Sequence, residues 1–394
     1  MLEQESASGR GVMCGIAQSP DAISSGPDGA GHSRNERYAH IDALRGLAAL
    51  AVLYLHVASV LLNMHLGNRF ENMVFLVLTR FLDVGLVAVI VFFAISGFVI
   101  PMSLIKPDNS ATKFAVSRFF RLYPAYWLSI GMALFFIYYL HSDHVSSLTL
   151  ALNLTMLQQF FMLPNILGSY WTLQIELVFY GLCLALFLLG ILNQNRRLFV
   201  ISILLLLAAF VFALIRYETH SKIPVALPLG LSTMFWGSLL HSDRVEHKAE
   251  ARRYANALTV LILAAVPPIS LLAYNFDAGY HETWYLYTAS YTTAIVIFYV
   301  LTGRYRISGR LFSWLGRISY SVYLFHPIFA SITMDYIYPR VPALTVAHVY
   351  IVIAALITIA FAHICYVLVE APSIRIGRAL NGSLQGRFSN QHVT

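Results

Sequence analysis

Residues Leu44–Leu62 read LRGLAALAVLYLHVASVLL, a run that is apolar apart from Arg45, His56 and Ser59. It matches the roughly 20 residues with which an α-helix crosses about 30 Å of hydrocarbon. Eleven residues of helix, the spacing from Arg45 to His56, advance about 16 Å and turn through about three revolutions, so both side chains are expected on one face. A guanidinium and an imidazole are costly in hydrocarbon and ordinarily face a bundle interior or an aqueous path. Plainer roles stay open at this point: Arg45 as the anchor of a helix end, His56 as a satisfied interior histidine. Asp42 falls roughly 40° from the same face. It is either a partner for Arg45 or an interfacial charge.

The rest of the chain has the composition this run suggests. Of 394 residues, 58% are hydrophobic and 11% charged, against roughly a quarter charged in soluble domains. The expected fold is therefore all-α, a polytopic membrane helical bundle. Cys14, Cys183 and Cys365 are widely separated, which suggests neither a disulfide framework nor a metal site. The net charge of +7 would hint at nucleic acid in a soluble protein. Here the basic residues collect in short loops, the pattern that sets membrane orientation.

Ten stretches are long enough to cross a bilayer: about 43–63, 81–104, 122–141, 171–191, 198–215, 224–241, 257–274, 284–302, 318–338 and 346–369. Residues 148–163 are apolar but short and suit a re-entrant or interfacial segment. Residues 1–37, rich in Gly, Ser, Asp and Asn, are expected to form a disordered tail, and they lack the basic start and apolar core of a signal peptide. Residues 38–378 form the membrane domain and 379–394 a second short tail. With both termini cytoplasmic, inner segments carry nineteen Lys and Arg and outer segments five. An odd number of spans would break this alternation.

Six segments, in order, resemble acyltransferase family 3, integral-membrane O-acyltransferases that modify bacterial surface polysaccharides and some antibiotics. IDALRGLAALAVLYLH (41–56) resembles the opening Arg and His signature, and VFFAISGFVI (91–100) the second-span motif. SRFFRLYPAYW (117–127) supplies the Arg118 and Arg121 pair, and GSYWTLQIELVFY (168–180) supplies Trp171, Glu176 and Tyr180. ISYSVYLFHPIF (318–329) and LVEAPSIR (368–375) resemble the late segments, with Tyr320, Tyr323, His326, Glu370 and Pro372. Two departures are Ala88-Val89 followed by Ile90, where Gly-Val and a polar residue are frequent, and Thr172, where Ser is usual. The resemblance implies a multi-pass protein of the bacterial inner membrane, without a resident cofactor, that takes an acyl group from acyl-CoA, acetyl-CoA first among them. The implied acceptor is a hydroxyl of an extracytoplasmic glycan or lipid-linked oligosaccharide, in contact with membrane lipids and without nucleic acid. Two alternatives stand beside it: acylation of a small glycoside such as a macrolide sugar, and a transporter of an anionic conjugate lined by Arg45, Arg118 and Arg121.

The residue types fit acyl transfer. Moving an acyl group from a thioester to a hydroxyl needs a base, or a nucleophile that carries the group transiently, and an imidazole does either near neutral pH. His56 is that candidate. Glu176 and Glu370 are the carboxylates that could orient its ring. Arg118 and Arg121, one turn apart, could clamp a donor phosphate, although cytoplasmic loops are arginine-rich for orientation alone. Arg45 could hold the thioester arm or polarise its carbonyl. Trp171 is either a belt aromatic or a surface for a sugar ring. Tyr323, His326, Glu370 and Asp42 could line the path or satisfy one another in the bundle. His363 and Glu370, seven apart, should share a face. Arg304, Arg306, Arg310 and Arg317 read as orientation charge.

Overall fold

The computed structural model describes residues 27–105, 110–139, 144–275, 283–341 and 346–391. Among them every regular element is helical. The first six α-helices are α1 (Pro27–Asn63), α2 (Arg69–Leu76), α3 (Val84–Leu104), α4 (Ala111–Ala133), α5 (Ser147–Leu154) and α6 (Trp171–Leu188). Then come α7 (Asn195–Thr219), α8 (Ala226–Arg244), α9 (Ala249–Ala273), α10 (Trp284–Gly303), α11 (Arg310–Ile332), α12 (His348–Cys365) and α13 (Ala371–Gln391). Residues Ala39–Thr394 form one compact unit. Residues 27–37, within the expected first tail, belong to α1, and residues 1–26 lie outside the described ones. The expected C-terminal tail is helical through Gln391.

Among the described residues, eight helical stretches are long and apolar enough to cross a membrane. The two other expected spans are helical as well, as α8 and α11, but carry too many polar side chains to qualify by composition. Their burial explains how. Every α8 residue from Pro228 to Asp243 is buried, including Ser232, Thr233, Ser238 and His241, so its polar groups face protein rather than hydrocarbon. Segment 148–163 folds as α5 with a 3-10 turn at Gln158–Phe161 after it. Asn153 closes it: its Nδ2 donates to the Pro164 carbonyl (3.0 Å) and its Oδ1 accepts from the Ile166 amide (3.0 Å). The chain turns back instead of making an eleventh span.

Side-chain oxygens start several helices by accepting otherwise orphaned amides. Asp83 accepts from Leu86 N at 2.7 Å and Ser110 from Lys113 N at 3.3 Å. Small residues then set how closely helices approach. A Cβ on Gly97 of α3 would lie 1.7 Å from the Met234 carbonyl, and one on Gly237 of α8 would lie 2.2 Å from the Ala94 carbonyl. Ser238 seals the crossing by donating to Gly97 O at 2.9 Å. The α1–α11 crossing is as tight: a Cβ on Gly46 would meet Leu315 Cβ at 2.7 Å, and one on Gly316 would meet Asp42 O at 2.2 Å.

A buried carboxylate ties α2 to the start of α12. Glu71 and Asn68 form a capping box, with Glu71 N donating to Asn68 Oδ1 (2.9 Å) and Asn68 N to Glu71 Oε2 (3.1 Å). Glu71 Oε1 also accepts from His348 N at 3.0 Å and faces His348 Nδ1 at 2.8 Å. Tyr54 OH of α1 lies 3.3 Å from His348 Nε2. Burial pushes the Glu71 carboxyl up, but the His348 ring and the backbone amides of His348, Asn68 and Ala347 outweigh it and hold the group at about 2.

Stability should respond in two ways. Gly97→Ala should cost about 1–3 kcal/mol or more, the scale of overpacking, while Gly131→Ala, with nothing within 4 Å of its Cβ, should be neutral or slightly stabilising. Thermal unfolding in detergent compares them. Because the folded Glu71 value lies below the ordinary 4.5, its contribution is complete above that pH and is lost as pH falls through the folded value. Glu71→Gln should therefore lower Tm at neutral pH, with the gap to wild type narrowing below about pH 4.

Candidate functional site

Four helices converge on a cavity with largely apolar walls, into which Arg45 from α1, Ser96 from α3, Thr172 and Glu176 from α6, and Tyr320 and Tyr323 from α11 bring the polar groups. The tight α1–α11 crossing places Arg45 beside the start of α11, and separate sequence motifs meet here. Glu176 accepts from Ser96 Oγ at 3.2 Å and from Tyr180 OH at 2.6 Å. Both donors use Oε1. Arg45 interacts electrostatically with Glu176, Asp42 and Arg121. Tyr323 OH lies 2.6 Å from Thr172 Oγ1 and donates to the Ser169 carbonyl at 3.0 Å. Thr172 thus performs, with its own hydroxyl, the contact available to a serine there. Tyr320 OH donates to Leu122 O at 2.8 Å.

Behind Tyr323 stands a pair of imidazoles. The His326 ring is 5.6 Å from Tyr323 and 5.0 Å from His56, centroid to centroid. His326 is fully buried, whereas His56 is exposed, as are Val60 and Asn63 further along the same helical stripe. His56 is thus exposed on α1 while its ring lies against that of His326 on α11. Arg45 and His56 do share a side of α1, with Arg45 at the cavity.

The expected carboxylate partner of His56 is not there. Among the described residues no hydrogen bond or ion pair joins His56 to Glu176 or Glu370. Glu176 is held by Ser96 and Tyr180. Glu370, 1% exposed, accepts from Ser321 Oγ and lies 3.7 Å from Arg121 Nη1. Helix phase explains the difference for Glu370. Residues Tyr366–Glu370 form a π-helical turn between α12 and α13, and its wider turn rotates the residues beyond it out of α-helical phase. His363 and Glu370 accordingly do not share a face: His363 is exposed beside Trp314 Nε1 at 3.4 Å, and Glu370 is buried.

Arg118 and Arg121 also part company. Arg121 turns to Glu370. Arg118 donates to Ser103 Oγ at 2.9 Å and lies over the Phe114 and Tyr180 rings at 5.1 and 5.4 Å. It lines a second, largely apolar groove of about 1110 Å³ between α4 and α6. Asp42 interacts with Arg45, Arg121 and Arg317, so it belongs to the arginine cluster. Trp171 is half-buried and packs edge-on against Phe93 at 6.2 Å. No group of His, Cys, Asp and Glu side chains suited to a metal occurs among the described residues.

The family model described as an acyltransferase domain matches residues 38–367. The chain belongs to acyltransferase family 3. A protein of Acidianus two-tailed virus, named as a putative acetyltransferase, is 24% identical over 292 residues, 73% of this chain and 81% of that protein. No solved structure matches. As a family member the protein is an acyltransferase, and the four converging helices carry the motifs that mark it so.

The Arg121–Glu370 pair lends itself to a direct measurement. Removing one partner of a buried pair typically costs about 3–5 kcal/mol, and the 24% exposure of Arg121 puts Glu370→Ala at the lower end. Glu370→Gln, which keeps an acceptor for Ser321, should lose less. Thermal unfolding of the two purified variants gives the comparison.

Proposed function

We propose that this acyltransferase is an integral-membrane O-acyltransferase that moves an acyl group, acetyl first among the choices, from cytoplasmic acyl-CoA to a glycan hydroxyl. The acceptor is an extracytoplasmic or lipid-linked glycan, and the setting is the bacterial inner membrane with both termini cytoplasmic. One observation carries the reading: an exposed imidazole, His56, on the same side of α1 as an arginine that lines the cavity. The charge pattern supports the orientation, since the arginine cluster of Arg45, Arg121 and Arg317 lies at the end flanked by the basic loops. An anionic donor meets cations on that side.

The chemistry is a single acyl transfer. His56 removes the proton of the acceptor hydroxyl as its oxygen attacks the thioester carbonyl. Arg45, about 16 Å along α1 from His56, holds the anionic arm of the donor rather than the reacting carbonyl. The carbon–sulfur bond then breaks, and the departing thiolate takes up the proton held by His56. Free CoA and the O-acyl ester leave, and the histidine returns to its starting state. Glu176 keeps Arg45 electrostatically paired while the site is empty, and Tyr180 and Ser96 fix that carboxylate.

Acylation of a small glycoside is the alternative acceptor class, and it uses the same residues. Mass spectrometry of surface glycans decides between them, comparing a deletion strain with strains complemented by wild type or His56→Ala. The proposal expects one acyl mass to disappear on deletion, return with wild type, and stay absent with His56→Ala at normal protein levels. A loss of about 10²–10⁴-fold in transfer is the scale expected for a missing general base. Normal glycan acylation by His56→Ala would overturn it.

A further inference from the structure

His326 is wholly buried, and its two ring nitrogens differ. Nδ1 lies 2.7 Å from the Tyr323 carbonyl oxygen. A carbonyl only accepts, so Nδ1 carries the proton and Nε2 presents a bare lone pair. That Nε2 is buried and has no hydrogen-bond partner among the described residues, an uncommon and costly state for an interior acceptor. The His56 ring lies beside that of His326, with centroids 5.0 Å apart and the planes tilted by 34°. His326 is held by its backbone bond, while His56 is exposed. Both carboxylates that could have oriented His56 are engaged elsewhere, Glu176 by Ser96 and Tyr180 and Glu370 by Ser321 and Arg121.

We propose that His326 is the positioning residue for His56, its Nε2 accepting the N–H of the His56 ring and so leaving the other His56 nitrogen free as the base. The inference rests on the base role given to His56 above. A neutral imidazole has one N–H and one lone pair, and whichever nitrogen is bonded to a fixed acceptor decides which faces the substrate. When His56 takes the hydroxyl proton it becomes a double donor, and the bond to His326 becomes charge-assisted and stronger. No proton passes to His326. It fills the place that a carboxylate takes in the familiar acid–base triads, with the difference that a neutral partner adds no charge to the bundle.

The test uses His326→Phe, which keeps a ring of similar shape and removes the lone pair, and His326→Gln, which restores an acceptor in its amide oxygen. Membranes bearing each protein are assayed for thiol release from acetyl-CoA. His326→Phe should lower kcat by about 10–100-fold, the scale seen for partners that orient catalytic groups, with KM for acetyl-CoA essentially unchanged. His326→Gln should recover a several-fold part of that loss. Carbethoxylation of His56 by diethyl pyrocarbonate, read by peptide mass spectrometry, should slow several-fold in His326→Phe and less in His326→Gln. A purely structural histidine would reduce protein accumulation without separating Phe from Gln. Wild-type kcat in His326→Phe, or equal loss in both variants, overturns the inference. If Phe overfills the site, His326→Leu takes its place in the same comparison. Failure of the base role is distinguishable, because it would appear as retained turnover in His56→Ala.

Discussion

At Gly46 and Gly316 the backbones of α1 and α11 approach so closely that a methyl group on either would strike the opposite helix. This contact sets the register between the helix that carries Arg45 and His56 and the helix that carries Tyr320, Tyr323 and His326. Everything in the site is measured from it. A side chain at either glycine would push the helices apart, and the 5.0 Å approach of the two imidazoles would open with them. Among helices without a hydrophobic force between them, close backbone packing is a main source of association, so the same glycines serve stability and chemistry.

Burial of charge is the second organising constraint. The carboxylates around the site are each placed differently: Glu176 accepts from Ser96 and Tyr180, Glu370 is buried against Arg121 and Ser321, and Asp42 lies in the field of three arginines. Buried pairs of this kind are weak sources of stability, but breaking them leaves a costly orphan. Their effect is to hold side chains in one arrangement around a cavity. His56 is held differently, exposed and joined to its neighbourhood through its ring contact with His326. In the base role proposed for it, an imidazole less firmly tied than the groups around it has the freedom to pick up and release a proton.

Much of this is legible in the chain itself. The apolar runs give the helices, and the spacing from Arg45 to His56 gives their common side. The order of six short motifs gives the family, whose residues Arg45, Ser96, Thr172, Glu176, Tyr320 and Tyr323 the fold gathers around one cavity. What periodicity leaves open is the register between helices and any change of phase within one. The π-helical turn at Tyr366–Glu370 breaks the sevenfold spacing that would have joined His363 to Glu370. Arg118 and Arg121, one turn apart, diverge because α4 packs against different neighbours on its two sides. The partner of His56 comes from a helix about 270 positions away, and a count along the chain cannot supply it.

The polarity of α8 bears on how the protein reaches its membrane. Taken alone, a helix with serines, a threonine, a histidine and an aspartate among its residues would gain little from leaving water, since each polar group at mid-depth opposes insertion. In the finished bundle those groups are buried against protein, where α8 packs on α3, α7 and α9. Two of these neighbours precede α8 in the chain and one comes after it, so its stable placement waits on company. Biogenesis is then a collective event in which the strongly apolar helices go in first and shelter the weaker one. Variants that loosen the Gly97–Gly237 contact would strike at assembly as well as at the folded state.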